Sequence, residues 1–474
     1  MNILYVLRST IHYSFYESVI QALYAKGHKV HALFDKGWSE SSRPLEQIRA
    51  RAGTPLFTAD WSLRRDDRWR RWIFDSREIL SYSSYLGRIN HSPYYINRWR
   101  GHLPAPLRVA AQLAPVRHLL AQPVIQNSLR SFERHVPPDP SICQWLSSNR
   151  PDVLIASPVN MRFSEEVEYV KAALTLGIPT VVHVLSWDNL TTKGLFHVLP
   201  DVTLAWNKRQ KQEAVDIHQL PPGKVVVTGA PFFDKWLDAE RLAMPRDMFC
   251  RRVGLNPDQP FLLYLGSSAN VARDETWLVR DIARALREHP NPIVRHTSIL
   301  VRPHPANARV YDEFVDGDNV HVWPKEGALP DSEQSLQDFY NSLRHCIASV
   351  GINTTGMIDA VIANRPCLTI MADRYRTTQL QATHFQYLLA ANVLEITDSP
   401  AACADRIEKV LHGADATAPA RERFTQEFAR PYGVRRPAGH VAGCAIELAA
   451  CGKSGVEIET ELVRQFNLLP VLGS

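Results

Sequence analysis

The chain has 474 residues, more than one hydrophobic core ordinarily organises, so we expect two domains. Hydrophobic residues make up 45%, charged residues 22% and the net charge is +5, which suits a soluble globular protein. Seven cysteines without a C-x-x-C pair argue against a disulfide framework and for reduced thiols in the cytoplasm. The opening MNILYVLRST is predicted to be a strand rather than a secretion signal, and no apolar run predicts a membrane-spanning helix.

Short apolar runs alternate with amphipathic helices in two series along the chain. The strands of the first series are NILYVL, KVHALF, TPLFTA, PDVLIASP, IPTVVHVLS, DVTLAWN and KVVVTGAP. The strands of the second series are PFLLYLGS, SILVRPHP, NVHVWP, HCIASVG, PCLTIM and VLEITDS. This alternation predicts two α/β domains, each a doubly wound parallel sheet covered by helices on both faces. We place an N-terminal domain over residues 1–240 and a C-terminal domain, with its C-terminal helices, over residues 241–474.

The segment from Trp61 to His135 breaks this alternation and predicts a helical insertion in the N-terminal domain. It carries thirteen arginines, no lysine and five acidic residues, so its net charge is +8. The interleaved aromatic residues are Trp61, Trp69, Trp72, Tyr82, Tyr85, Tyr94, Tyr95 and Trp99. The insertion is either a solvated helical face or a surface for an acceptor or an anionic membrane. No nucleic-acid-reading motif is present, so we expect no nucleic acid partner.

A polar turn in SVGINTTGMIDAVIANRPCLTI predicts a phosphate site where a strand passes into a helix. Its candidate residues are Ser349, Gly351, Asn353, Thr354, Thr355 and Gly356. The free N–H groups and partial positive charge of a helix N-terminus attract phosphate. Asp359 lies one turn inside that helix, where its carboxylate could accept from ribose hydroxyls. The alternative is that Asn353 and Thr354 merely cap the helix.

Two further strand ends of the second series are candidates for the same site. ILVRPHPA places Arg302 and His304 beside rigid prolines, a cation pair suited to a diphosphate, although a plain loop remains the alternative. FLLYLGSSANVARDE ends its strand at a turn that either contacts a nucleotide or only connects two elements. The residues of that turn are Gly266, Ser267 and Ser268. No G-x-G-x-x-G or G-x-x-x-x-G-K-[ST] motif is present.

The first series offers a polar pocket and two candidate bases. HVLSWDNLTTKG gathers Ser186, Trp187, Asn189 and Lys193 around Asp188, which could deprotonate an acceptor; an Asn-Asp turn over a buried tryptophan is the alternative. His12, after the first strand, is the second candidate base or a structural histidine.

Two weaker features complete the candidates. Gln381, Thr383 and His384 in QLQATHFQYL could border the crevice. Asp316-Gly317-Asp318 is interpreted as a turn rather than as a metal-binding pair, so no metal site is predicted.

The order of these motifs resembles the GT-B glycosyltransferase superfamily, which also holds the UDP-N-acetylglucosamine 2-epimerases and the CDP-glycerol glycerophosphotransferases. The segments that carry the resemblance are HVLSWDNLTTKG, KVVVTGAPFFD, FLLYLGS, LVRPHP and SVGINTTGMIDAVIANRPCLTI. The resemblance implies two facing Rossmann-like domains, with the nucleotide in the C-terminal domain and the acceptor in the N-terminal one. It also implies that Arg302, His304 and the 353–356 turn contact the diphosphate and that Asp359, where a Glu is more usual, contacts ribose.

By this resemblance we expect a metal-independent glycosyltransferase of bacterial surface polysaccharide or glycolipid assembly, with Asp188 or His12 as the base. Its substrates would be a nucleotide-sugar donor and a hydroxyl acceptor, and no cofactor is expected. Three alternatives stay open: a polyol-phosphate transferase of the CDP-glycerol type, a nucleotide-sugar 2-epimerase and a non-catalytic GT-B scaffold. The acidic residues that the epimerases usually carry at HVLSWDN are mostly missing. We expect a cytoplasmic protein, peripheral to the inner face of the membrane through residues 61–135.

Overall fold

The computed structural model of the chain describes residues 1–39, 44–87, 92–312 and 319–467. The chain forms two compact α/β units. Unit 1 comprises Met1–Asp234 and Gln426–Ser474, and unit 2 comprises Lys235–Thr425. The predicted fold class, two doubly wound domains with a helical insertion in the first, is confirmed.

Unit 1 is built on a seven-stranded parallel sheet in the order β3-β2-β1-β4-β5-β6-β7. Its strands are β1 (Asn2–Leu7), β2 (Lys29–Phe34), β3 (Phe57–Trp61), β4 (Val153–Ser157), β5 (Thr180–His183), β6 (Val202–Ala205) and β7 (Val225–Val227). The central strands are apolar along their length because helices cover both faces of the sheet. The strand order reverses between β1 and β4, and ligand crevices of such sheets lie at the carboxyl ends of the strands at this point.

The helices of the first part of unit 1 include the predicted insertion. They are α1 (Tyr13–Ala25), α2 (Leu45–Ala52), α3 (Arg70–Gly87), α4 (Pro93–Arg100), α5 (Ala105–Ala110), α6 (Ala114–Leu120), α7 (Pro123–His135), α8 (Pro140–Asn149), α9 (Glu166–Thr175), α10 (Asn189–Thr192) and α11 (Lys208–His218). The insertion is α3 to α7, and a buried ion-pair network fixes it to the unit. Arg77 on α3 contacts Glu133 at 2.8 Å and Glu168 of α9 at 2.6 Å.

Unit 2 is built on a six-stranded parallel sheet in the order β10-β9-β8-β11-β12-β13. Its strands are β8 (Phe261–Leu265), β9 (Ser298–Arg302), β10 (Val320–Val322), β11 (Ala348–Gly351), β12 (Cys367–Ile370) and β13 (Glu395–Thr397). Its helices are α12 (Arg246–Arg252), α13 (Thr276–Glu288), α14 (Pro292–Arg295), α15 (Glu333–His345), α16 (Thr355–Ile362), α17 (Gln386–Ala390), α18 (Pro400–Leu411) and α19 (Ala418–Phe424). The carboxyl ends of β9, β8 and β11 are therefore adjacent at one edge of this sheet.

The last segment of the chain corrects the predicted domain range of 241–474. Helices α20 (Ala438–Ala450) and α21 (Gly455–Asn467) belong to unit 1, where α20 packs against α1. Gly439 lies against Ser18, and the Asp234 carboxylate accepts from the N–H groups of Ala438 at 2.9 Å and Gly439 at 2.7 Å. The small residues of α20 allow this close packing, a tertiary preference that periodicity alone does not reveal.

Candidate functional site

The carboxyl edge of the unit 2 sheet brings together the turns after β8, β9 and β11. The N–H of Gly266 donates to the carbonyl of Arg302 at 3.0 Å. A Cβ atom on Gly266 would lie 3.2 Å from the backbone of residues 302–304, so glycine permits this close approach. The predicted Gly266–Ser268 and Arg302–His304 segments are therefore neighbours at one edge.

The turn after β11 leads into α16 without a side-chain cap. Thr354 is the N-cap residue in an extended conformation, but its hydroxyl makes no capping hydrogen bond. The N–H groups of Thr355 and Gly356 belong to the first turn, which has no intrahelical acceptors. Thr354, Thr355 and Gly356 are half-buried. The helix start is therefore suited to an anion, and the simple capping alternative is not what the structure contains.

Asn353, which directly precedes the N-cap residue Thr354, is 3% exposed. Its Nδ2 donates to the carbonyl of Thr378 at 2.7 Å and lies 3.1 Å from Nε2 of His384. Its Oδ1 is buried and has no hydrogen-bond partner among the described residues. Ser349 and Gly351 lie inside β11, where the Ser349 hydroxyl donates to the carbonyl of Pro366 at 3.3 Å. These two residues position the turn and do not form it.

His304 presents one defined donor. Its Nδ1 accepts from the N–H of Ala306 at 3.1 Å, so the ring proton of the neutral imidazole is on Nε2. Burial lowers the pKa of His304 below its ordinary value, which keeps the ring neutral at pH 7. The half-buried ring can therefore donate one Nε2–H hydrogen bond to an anion without carrying a charge.

One nitrogen of the Arg302 guanidinium has a structural role, and another is available as a donor. Its Nη2 donates to the carbonyls of Ala328 at 3.2 Å and Ser335 at 3.4 Å, and its guanidinium lies 4.7 Å from the ring centroid of Phe339. Its Nη1 is buried without a hydrogen-bond partner in the described part of the chain. Burial lowers the pKa of Arg302 to about 10, so the group stays cationic at neutral pH.

Asp359 does not present the free carboxylate that the resemblance implies for ribose. It is 3% exposed, and its Oδ1 accepts from Nε1 of Trp236 at 2.7 Å and lies 3.1 Å from Nζ of Lys235. Both partners come from the end of the predicted N-terminal range 1–240, where the sequence analysis named no candidate residue. Lys235 adds a positive charge beside α16, the helix whose start forms the candidate anion site. Burial lowers the pKa of Lys235. The lysine directly before a tryptophan in PFFDKW was the only signal that could have indicated it.

The turn after β8 is held by a buried carboxyl group. Glu275 accepts from the N–H of Ser267 at 2.7 Å and from the hydroxyl of Tyr264 at 2.7 Å. Burial raises the pKa of Glu275 to about 7. Ser267 is buried and Ser268 is half-buried, so only Ser268 of this turn is open to a ligand.

In unit 1 the loop after β5 is held by hydrogen bonds to the carboxylate of Asp188, the residue predicted as a base. The Asp188 carboxylate accepts from Oγ of Ser186 at 2.6 Å, Oγ1 of Thr192 at 2.8 Å and Nζ of Lys193 at 3.1 Å. Trp187 and Asn189 are buried, and the Asn189 amide pairs with Asn160 at 2.9 Å. A carboxylate with three donors holds the loop in place and is poorly suited to accept a substrate proton.

His12 is also poorly matched to the predicted role of base. Burial and the nearby Arg8 lower its pKa to about 3. Such an imidazole is neutral at pH 7 but a weak proton acceptor.

A charged cluster at the carboxyl edge of the unit 1 sheet was missed by the sequence interpretation. Arg8 follows β1, Asp35 follows β2, Glu166 begins α9 and Glu78 lies on α3, and all four are at most 5% exposed. Nη1 of Arg8, Oδ2 of Asp35 and Oε2 of Glu78 are buried without hydrogen-bond partners in the described ranges. Burial raises the pKa values of both Glu78 and Glu166 to about 7, although Arg8 partly opposes the shift. The charges directly after the strands in YVLR and ALFD were the available signal.

No cluster of three or more His, Cys, Asp or Glu side chains within the described ranges has the arrangement of a metal site. Asp316 and Asp318 lie outside the described residues.

Similarity to known proteins appears in the fold and not in the sequence, because no protein-family model and no curated protein matches the chain. A UDP-GlcNAc 2-epimerase from Neisseria meningitidis, solved with UDP-GlcNAc, matches with a TM-score of 0.53 and 12% identity over 93% of this chain and 98% of that one. S. aureus MnaA, solved with UDP, gives 0.53 and 13% over 94% and 96%. The UDP-GlcNAc 2-epimerase from Methanocaldococcus jannaschii gives 0.51 and 12% over 93% and 98%. At such identities the likeness shows the fold alone, which is the two-domain α/β fold of these neighbours.

Proposed function

We propose that this chain is a glycosyltransferase that moves a sugar from a nucleotide-sugar to a hydroxyl acceptor. The observation that carries the proposal is the uncapped start of α16, which lies in the unit 2 edge that also carries the Nε2–H donor of His304. A helix N-terminus and a neutral histidine donor suit the diphosphate of a nucleotide-sugar.

The diphosphate would be stabilised by protein donors alone. The N–H groups of Thr355 and Gly356, Nε2–H of His304 and Nη1 of Arg302 would share the charge that develops as the C1–O bond to the diphosphate breaks. Lys235 would add a positive charge beside Asp359. In this proposal neither a metal ion nor a cofactor takes part.

The acceptor would bind at the unit 1 edge, beside the Arg8 cluster. As the acceptor oxygen bonds to the sugar C1, its proton would pass to Glu166 or Glu78. Their pKa values of about 7 suit a general base at neutral pH. Asp188 would hold the 186–193 loop, which lines the acceptor. A hydroxyl of a surface polysaccharide or glycolipid is the proposed acceptor class.

A second candidate is a nucleotide-sugar 2-epimerase, and one observation favours it. Epimerisation at C2 needs a group that removes a proton from that carbon and one that returns it. Glu78 and Glu166 are two carboxyl groups near Arg8 that can exchange protons at neutral pH. The three neighbours reported above include two enzymes named UDP-GlcNAc 2-epimerases.

Nucleotide binding is the first test. A thermal-shift panel with UDP, GDP, CDP and dTDP should show one clear winner, because a ligand at roughly 100 times its Kd stabilises by about 2.7 kcal/mol. Asn353→Ala should abolish that shift, whereas Asn291→Ala, which removes an amide from another part of unit 2, should not. No shift with any nucleotide would contradict both enzymatic readings and favour a scaffold.

Turnover in D₂O then separates the two activities. A 2-epimerase puts deuterium at C2 of the sugar without any acceptor, which mass spectrometry of recovered nucleotide-sugar detects. A glycosyltransferase leaves C2 unlabelled and releases the nucleoside diphosphate faster when an acceptor is present. Release of a nucleoside monophosphate from a CDP-polyol would instead indicate polyol-phosphate transfer.

A further inference from the structure

The surface formed by α5, α6 and the start of α7 exposes large apolar side chains to solvent. In this surface, called the 105–124 stretch after its residues, Val109, Leu113, Leu119 and Val124 are 56–65% exposed. Single exposed apolar residues are ordinary, but several in one short stretch indicate a contact surface.

Backbone hydrogen bonds join the short helices that carry these side chains. The N–H of Leu113 donates to the carbonyl of Ala110 at 3.0 Å, and the N–H of Arg117 donates to the carbonyl of Leu113 at 3.2 Å. The three short helices thus follow each other with only brief turns, and each has a proline in its first turn. No helix in the described ranges is both long and apolar enough to cross a membrane.

The charge around the stretch has one sign. Between Glu78 and Glu133 the sequence contains six arginines and neither an acidic residue nor a lysine. Arg108 is exposed and Arg117 half-buried within the stretch, and the exposed Arg134 follows on α7. Arginine beside exposed aliphatic side chains is complementary to a surface with negative head groups over hydrocarbon.

The structure also narrows which part of the insertion can make such a contact. Tyr82, Tyr85, Tyr95 and Trp99 are at most 5% exposed, so half of the eight predicted interfacial aromatic residues pack inside unit 1. Arg77 is likewise buried in ion pairs. Trp72 on α3 stays 66% exposed, and the exposed large aliphatic side chains of α3 to α7 within the described residues lie in the 105–124 stretch.

We propose that the 105–124 stretch docks on an anionic phospholipid surface. Val109, Leu113, Leu119 and Val124 enter the region between head groups and acyl chains, and the neighbouring arginines bind the head groups. This inference does not depend on which reaction the protein catalyses, because it concerns a surface that belongs to neither proposed substrate site.

Vesicle flotation with the 474-residue chain tests the proposal. The vesicles are pure phosphatidylcholine, or phosphatidylcholine with phosphatidylglycerol at a molar ratio of about 7:3, a strongly anionic surface. We expect binding to the anionic vesicles, weakened by salt. Leu113→Glu with Leu119→Glu should reduce it at least about tenfold, because two apolar side chains no longer enter the membrane. Arg108→Glu should reduce it about fivefold or more.

Ile293→Glu is the matched control, since Ile293 is 53% exposed on α14 of unit 2. It should bind vesicles like the unaltered chain. Thermal melts of all variants verify that loss of binding is not loss of fold. The proposal is overturned if the unaltered chain floats with neither vesicle type, or if the Leu113/Leu119 variant still binds. Two other occupants would also overturn it. In either case the variant binds vesicles like the unaltered chain, but it either turns a dimer into a monomer or loses affinity for a single-stranded RNA.

Discussion

His304 provides the sharpest test of the proposed nucleotide site, because a hydrogen bond from the backbone fixes its tautomer. Its Nδ1 accepts from Ala306 N–H at 3.1 Å, so only Nε2–H can donate to a phosphate oxygen. A hydrogen bond to a charged group contributes about 1.5–3 kcal/mol. His304→Asn keeps an acceptor near Nδ1 but loses the donor at the Nε2 position. We therefore expect the Kd of the preferred nucleoside diphosphate to rise roughly 10- to 100-fold in this variant.

Isothermal titration calorimetry measures this change, with three comparisons. His304→Gln, which can place a donor near Nε2, should recover part of the affinity. His296→Ala removes an exposed histidine elsewhere in unit 2 and should leave the Kd unchanged. Because burial lowers the pKa of His304 below its ordinary value, the ring stays neutral above about pH 7, and affinity for a nucleotide-sugar should not change between about pH 7 and 8. An Asn variant that binds within twofold of the unaltered chain would refute the donor role.

Three further outcomes concern the carboxyl groups of Asp188, Glu166 and Glu275. Asp188→Asn should lower the melting temperature but reduce kcat less than about tenfold, whereas loss of a true base costs about 10²- to 10⁴-fold. Glu166→Gln should remove the group of pKa about 7 from the pH profile of kcat/KM, and an unchanged profile would exclude Glu166 as the base. The folded-state pKa of Glu275 is raised from 4.5 to about 7, so the folded protein holds this proton more tightly. Stability should therefore fall by about 3 kcal/mol as pH rises through this window, and calorimetry of Glu275→Gln should show a smaller fall.

The two sheets could be predicted because their strands are short apolar runs that alternate with helices, and the apolar residues of a helix recur with the helical period. This pattern did not indicate which unit contains α20, because the small and apolar residues of that helix could pack in either unit. Its place against α1 depends on the fit of Gly439 to Ser18, a contact between residues far apart in the chain. Local pattern therefore predicted the elements, and long-range packing decided the domain membership.

The sequence indicated the candidate site only at the turns that follow strands, where the backbone itself forms the site. The turn at Asn353 and the loop at His304 follow strands, and adjacent parallel strands must end at one edge. Asp188 and Asp359 were chosen by residue type, yet their roles depend on neighbours such as Lys193 and Trp236 that side-chain packing supplies. Burial, which no single-sequence pattern reports well, separates a saturated carboxylate from one such as Glu166 with a raised pKa.

The insertion links the proposed membrane surface to the proposed acceptor loop within unit 1. The Tyr85 hydroxyl on α3 donates to the carbonyls of Thr191 at 3.1 Å and Lys193 at 2.8 Å, and Trp99 Nε1 on α4 donates to the carbonyl of Thr192 at 3.2 Å. Helix α5 follows α4 after a short turn, so the elements that hold the loop lead directly into the 105–124 stretch. A membrane bound there would contact the helix that follows α4 in the chain, and α4 holds the loop that is proposed to line the acceptor. This connection favours an acceptor carried by the membrane, such as a glycolipid, over a free polysaccharide.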